Sequence, residues 1–286
     1  MKEKPFSKYQ ILANAVMIIW TLAIILPFIL LFMSSITDEN TLVANGYSFF
    51  PKKFSLASYS YIIKSGGQIL KAYGVSIGVT VVGTLLNVLL SALMAYPLSV
   101  KNLPGRNVMM FFVFFTMLFN GGIVPSYIMW TGTFHIKDTI FAQLLPNFLL
   151  SAWNVMMIRT YFTTSIPDGL YEAAEIDGAS QFTIFWKIVL PLGKPILVTM
   201  GTFAGLAYWN DWTNGLYYIV KNTGLYNVQN LLNQMVQNIQ FLTQSSNSNV
   251  TAAASTIPAT GIQMAIAFVA ILPIMLIFPS FQKYYA

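Results

Sequence analysis

The sequence predicts an all-α polytopic membrane protein with six transmembrane helices. Three observations carry this: 56% of the 286 residues are hydrophobic, 8% are charged, and the apolar residues gather in long runs. A bilayer core about 30 Å thick takes roughly 20 consecutive apolar residues as a helix. With a mean hydropathy of +0.64 the chain is too apolar for a water-soluble globule.

The runs place helices at about 11–33, 72–97, 107–130, 139–163, 196–220 and 259–280. The first follows a basic start, MKEKPFSKYQ, as a signal peptide would. Its run of about 23 residues exceeds a signal core, and no small-residue cleavage site follows, so it reads as an uncleaved span. The third is interrupted by FNGGIVPS, Phe119 to Ser126. Gly and Pro at membrane depth mark either a broken helix shielded by protein or a helix that ends before a re-entrant piece. Gly74 with Gly78, and Gly201 with Gly205, set small residues four apart, a spacing that lets helices pack closely.

Charge placement gives the orientation. With the N-terminus inside, nine of the 15 cations fall on the cytoplasmic side, among them Lys101, Arg106, Arg159, Lys187 and Lys194. The other six, including Lys53, Lys137 and Lys221, fall outside. Both termini and the segment 164–195 are thereby cytoplasmic. The net charge of +6 is scattered through loops with no dense basic stripe, which argues against nucleic acid. Without cysteine there is no disulfide, thiolate metal site or Cys nucleophile.

The organisation expected is an N-terminal tail and first helix over 1–35 and an extracellular loop over 36–71. A transmembrane core over 72–280 follows, with a cytoplasmic loop at 164–195 and an extracellular loop at 221–258, then a cytoplasmic end at 281–286. Within 221–258, LYNVQNLLNQMVQNIQFL repeats apolar residues at helical period. Its opposite face is Asn and Gln from Asn227 to Asn238, suited to the outer membrane surface or a partner. SSNSNVTAAAST after it reads as a flexible loop.

The loop 164–195 is where a chain sparing with charge concentrates acid: Asp168, Glu172, Glu175 and Asp177 lie in ten residues. Ser165 and Pro167 start a helix, with Asp168 in its first turn complementing the dipole. Gly178 can take the left-handed conformation that ends it. A second helix begins near Ala179, with Phe182, Phe185, Trp186, Val189 and Leu190 on one apolar face, and Pro191 stops it. Ala173 and Ala174 leave room for something to approach the backbone.

This loop carries EAA, three residues, Gly, nine residues, Ile, one residue, Leu-Pro: Glu172-Ala173-Ala174, Gly178, Ile188 and Leu190-Pro191. The pattern resembles the cytoplasmic loop of membrane subunits of bacterial binding-protein-dependent ABC importers. MIRTYFTTSIPDGLYEAAEIDGAS and IVLPLGKPIL are similar to MalG-type sugar permeases, and WNDW with LPIMLIFPSFQKYY to the LplC-like subgroup linked to complex oligosaccharides. The resemblance covers nearly the whole chain and implies the type I ABC importer transmembrane fold. It implies a coupling helix seated in a groove of a separate ATPase, with Glu172, Ala173, Ala174, Asp177, Gly178, Ile188, Leu190 and Pro191 at the contact. Members usually continue in a short tail beyond the QKYY region, whereas this sequence stops at Ala286. No ATPase contact is therefore assigned to that end.

The implied partners are a homologous second permease, two ATPase copies, an extracellular solute-binding protein, a carbohydrate and the lipid of the bacterial plasma membrane. The chain has no GxxxxGK[ST], so it carries no cofactor, and ATP with Mg belongs to the ATPase. Neither a carboxylate pair nor a metal-ligand cluster suits catalysis, and no metal site is expected. His135 reads as a solvated loop residue.

Polar residues within spans mark the pathway by default. Candidates are Asn87, Asn120, Gln143, Asn147, Trp209, Asn210, Asp211, Trp212 and Asn214. Asp211, the lone acid inside an expected span, has three readings: a structural cap or pair, a contact to sugar hydroxyls, or a proton carrier. The last would make the chain an ion-coupled secondary transporter, the alternative to an ATP-driven importer.

Overall fold

A computed structural model describes residues 8–64, 66–244 and 259–282. The loop read at SSNSNVTAAAST and the C-terminal end beyond Gln282 lie outside the described residues. Among those residues the chain is helical with no strand, only one isolated bridge, Thr37 to Phe54. It divides into two compact units: Met1–Gly67 with Leu232–Met275, and Gln68–Leu231 with Leu276–Ala286.

In the first unit, α1 (Lys8–Ser35) is a 28-residue apolar helix, none of whose hydrophobic window is buried. A helix apolar on every side and exposed in water terms is built for lipid or another helix. Two short helices follow, α2 (Glu39–Asn45) and α3 (Ala57–Lys64). They pin the loop between them to the rest of the unit: Asp38 pairs with Lys53 at 3.2 Å, and Ser35 Oγ lies 2.8 Å from Tyr59 Oη. The Glu39 carboxylate accepts from Thr260 N at 2.9 Å and Gly261 N at 2.8 Å. It thereby caps the last helix, α14 (Ala259–Gln282), whose first N–H groups have no partner within the helix.

The second unit opens with α4 (Gly66–Ser99). Next comes α5 (Arg106–Leu118), bent by 110° from α6 (Ile123–Thr133). The bend falls at Asn120-Gly121-Gly122, where Gly122 has φ 87°. The fourth expected helix, 139–163, is not continuous. It divides into α7 (Phe141–Leu144) and α8 (Ala152–Ser165), because Pro146 has no N–H to give and Asn147 is left-handed at φ 67°. After the hairpin α9 (Asp168–Ile176) and α10 (Gln181–Leu192) comes α11 (Lys194–Asn210). The fifth expected helix, 196–220, breaks at Asp211 and Trp212 before α12 (Thr213–Tyr218), and α13 (Val228–Gln244) follows, in this unit only as far as Leu231. Among the described residues two helices are long and apolar enough to cross a membrane alone, and each bent pair adds one, for up to four.

Helices α4 and α11 approach closely, but not through both expected glycine pairs. Gly201 and Gly205 do face α4: a Cβ on Gly205 would meet Thr84 Oγ1 at 3.3 Å, and one on Gly201 would meet Val88 at 3.4 Å. Gly74 and Gly78, expected to pack a helix, face open space instead. The glycine on α4 that matters is Gly83, where any Cβ would run into the Tyr208 ring. The Tyr208 hydroxyl donates to Leu144 O at 2.9 Å, which ties α11 to the end of α7.

Candidate functional site: an exposed hairpin and a buried amide cluster

Helix α9 starts after Pro167 with Asp168 in its first turn, and Asp168 pairs with Lys101. Its end is a Schellman turn, Ala179 N donating back to Ala174 O at 2.9 Å around Gly178 at φ 74°. Ser180 then caps α10 by accepting from Thr183 N at 3.2 Å. The hairpin is bolted to its own unit. Ala174, Ile184, Phe185 and Val189 are buried in one core with Val155, Ile158 and Phe162 of α8, and Ile188 and Leu190 pack at its margin.

Here the apolar face expected of the second helix divides, and the stop lies beyond Pro191. Residues Phe185–Val189 form a π turn, in which Leu190 N reaches back five residues to Phe185 O. The wider turn shifts the buried face to Ile184, Phe185 and Val189, leaving Phe182 and Trp186 exposed, their rings 6.0 Å apart. Pro191 does not stop the helix, which runs on to Leu192. The stop is Gly193: a Cβ there would meet the Phe162 ring at 2.6 Å and Val189 O at 2.9 Å, and the chain turns by 78° into α11.

The four acids separate into two kinds. Asp168 is paired with Lys101, and Glu175 accepts from Gln181 Nε2 at 2.9 Å, while Gln181 Oε1 accepts from the Tyr96 hydroxyl at 2.5 Å. Glu172 and Asp177 are exposed and make neither an ion pair nor a side-chain hydrogen bond among the described residues. Together with Ala173, Ile176, Gly178, Phe182 and Trp186 they form an outward surface, acidic at one side and aromatic at the other. Gln181, the brace beneath it, was not singled out by sequence; its only signal is its place just after the Ser180 cap.

The pathway candidates divide likewise. Asn87 donates to Phe148 O at 2.6 Å and accepts from Asn154 at 2.7 Å. Gln143 is fully buried, donating to Leu225 O at 3.2 Å and to Asn230 Oδ1 at 3.3 Å and accepting from Asn227 Nδ2. Asn214 is buried, donating to Pro146 O at 3.1 Å, and Trp209 is buried beside the Tyr73 ring at 6.3 Å. Asp211 acts as a cap: its Oδ1 accepts from Thr213 N at 3.0 Å, Thr213 Oγ1 at 2.7 Å and Asn214 N at 3.3 Å. Asn120, Asn147, Asn210 and Trp212 are exposed. Asn120 Oδ1 holds Gly122 N, and Asn147 Nδ2 reaches Asn214 Oδ1 at 3.3 Å.

The start of α13 completes this cluster, contrary to its expected polar outer face. Asn227 and Asn230 are buried, as are Val228 and Leu231 beside them. Asn227 Nδ2 donates to Asp211 O at 2.6 Å, its Oδ1 accepts from Asn230 N at 2.8 Å, and Asn230 Nδ2 donates to Trp212 O. Gly215 is required here, since a Cβ would overlap the Asn230 carboxamide. The unwound carbonyls of 211 and 212 are thus answered by side-chain amides, the condition for a broken helix away from water.

Nearby, Asp138 holds a turn. Its Oδ1 accepts from Val220 N at 2.7 Å, Lys221 N at 2.8 Å and Asn222 N at 3.2 Å. These bonds, led by that from Lys221, keep its carboxyl below the ordinary 3.8 against a smaller opposing effect of desolvation. A depressed carboxyl pKa contributes stability that is complete above the unfolded value and lost as pH falls through the folded one. The exchange protection of Val220, Lys221 and Asn222, taken relative to the intrinsic rate at each pH, is expected to be high at neutral pH and to fall only on acidification below about pH 4. Asp138→Asn should show low protection at both; equal protection in wild type and variant at neutral pH would refute the clamp.

With the exposed hairpin and the broken helices described, the relatives are informative. Residues 74–286 match the family described as the binding-protein-dependent transport system inner membrane component. The chain belongs to this family. Protein LplC of Bacillus subtilis (strain 168) is 36% identical over 262 residues, 92% of this chain and 86% of LplC. The polygalacturonan/rhamnogalacturonan transport system permease protein YtcP of the same organism is 34% identical over 278 residues, 97% of this chain and 95% of YtcP. A crystal structure of a bacterial ABC transporter involved in the import of the acidic polysaccharide alginate contains a chain of the same fold. It superposes with a TM-score of 0.82 at 25% identity, covering 99% of this chain and 100% of that one. The fold is therefore that of an ABC importer membrane subunit, and the ion-coupled reading of Asp211 finds no support.

Proposed function

We propose that this permease imports an oligosaccharide across the bacterial plasma membrane, powered by a separate ATPase docked on the α9–α10 hairpin. The observation that carries the docking is the outward surface of Glu172, Asp177, Phe182 and Trp186 on a hairpin packed into its own core. Exposed aromatics are enriched in protein contacts, and the polar groups beside them suit the rim of such a contact. The sugar class follows from the relatives, whose names include polygalacturonan and rhamnogalacturonan transport. In this reading the hairpin and both termini are cytoplasmic, a homologous permease completes the pathway, and a solute-binding protein delivers from outside. ATP and Mg sit on the ATPase. Asn147, Asn210 and Trp212, exposed around the α11–α12 break, are the groups of this chain nearest to a passing sugar.

The test is reconstitution of the chain with its partner permease and ATPase in vesicles. Oligogalacturonide-loaded binding protein is expected to stimulate ATP hydrolysis and uptake, and a protonophore to leave both unchanged. Uptake that proceeds without the ATPase and stops with the protonophore would overturn the reading.

A further inference from the structure

Among the described residues of the second unit, two arginines stand without a counter-ion. Arg106 begins α5, and its Nε is buried with no hydrogen-bond partner among the described residues. Arg159, on α8, gives its Nε to Leu98 O at 3.2 Å, leaving its terminal nitrogens uncommitted. The Arg106 charge lies within electrostatic reach of Arg159, and α5 and α8 are packed together. Neither guanidinium has a carboxylate within ion-pair distance; the ion pairs among the described residues are Lys53–Asp38 and Lys101–Asp168. No acid stands in the first turn of α5 to answer them. Two like charges held together, one partly out of water, are unfavourable unless an anion joins them.

The surface beside them says what kind of anion. Val108, Met109, Phe111, Phe112, Phe115 and Phe119 are all exposed along α5 and its end, with Phe111 and Phe115 rings 6.0 Å apart and Phe115 and Phe119 rings 4.4 Å apart. This 13-residue helix is about 20 Å long, comparable with one leaflet of hydrocarbon. We infer that Arg106 and Arg159 hold the phosphate of an anionic phospholipid whose acyl chains lie along the phenylalanine face of α5. A free phosphate would satisfy the guanidiniums but gain nothing from that face. Guanidinium is the side chain suited to such a headgroup, since its planar fork binds two phosphate oxygens at once.

The experiment reads lipid retained rather than transport, so its outcome is independent of the import reading. The assembled transporter is titrated with dioleoyl phosphatidylglycerol or dioleoyl phosphatidylcholine, and bound lipid is counted by native mass spectrometry. Wild type is expected to retain phosphatidylglycerol over phosphatidylcholine. Arg106→Gln or Arg159→Gln should each weaken retention about 5-fold and the double variant roughly 30-fold. The double lysine variant, Arg106→Lys with Arg159→Lys, should lose less, and inorganic phosphate should not displace the lipid. Equal retention in wild type and the double glutamine variant overturns the site. So does equal retention of the two lipids. Displacement by inorganic phosphate makes it a free-anion site and overturns the lipid assignment. Should the glutamine variants fall apart, the lysine variant and the phosphate competition still decide. A wild type that binds no phosphatidylglycerol, with subunits that separate in the glutamine variant, would assign the arginines to a partner's carboxylate instead.

Discussion

Glu172→Arg is expected to reduce binding-protein-stimulated ATP hydrolysis to the unstimulated level while the permease still folds and enters the membrane. Glu172 is exposed and has no side-chain partner among the described residues, so its local fold does not need it. Surface changes of this kind typically alter stability by no more than about 0.5 kcal/mol. The side chain lies on the outward surface with Asp177, and reversal of its charge places like against like if the ATPase presents cations there. A neighbouring acid supplies the control. Glu175→Gln touches only the internal bond to Gln181, so it should spare stimulation while loosening the brace to Tyr96. Gly178→Val should also abolish stimulation, because a β-branched residue at φ 74° resists the left-handed turn that sets α10 against α9. Stimulation that survives both Glu172→Arg and Gly178→Val would remove the hairpin from the coupling contact.

Asn227→Leu should be strongly destabilising. The carboxamide donates to Asp211 O and Gln143 Oε1 and accepts from Asn230 N, so leucine of similar size leaves three buried groups without partners. At roughly 1–3 kcal/mol for each orphaned group, partial relaxation leaves a loss of about 3–5 kcal/mol. Thermal unfolding in detergent should then shift down by roughly 10 °C. Asn233→Leu, two turns along on a less buried position, is the comparison and should shift little. Similar melting for the two variants would show that the amide cluster does not hold the break between α11 and α12.

The helical class, the apolar runs and the EAA hairpin were legible because each rests on local pattern: hydropathy, a proline start, an acid in the first turn, a glycine at the stop. Gly178 behaves as that pattern dictates. Pro191 does not, because a π turn is set by packing against α8 and leaves no mark in the 3.6-residue period. The breaks at Asn147 and Asp211 were hidden for a related reason. Apolar residues continue on both sides of each, and only a partner carbonyl far along the chain shows that an amide is spent. Asn227 and Asn230 were placed on a polar face because one sequence period cannot tell an amide that meets water from one that meets Gln143. Gly83 and Gly74 sit on the same helix and differ only in what stands opposite.

The π turn and Gly193 also decide how force travels. Ile184, Phe185 and Val189 are sunk in the same core as Ile158 and Phe162, with no slack segment between the outward surface and α11. A push on Phe182 or Trp186 cannot be absorbed by a yielding loop. Were an ATPase to push there, the push would arrive at Lys194–Asn210 as movement of the whole assembly, the hairpin acting as a crank forged in one piece with its shaft.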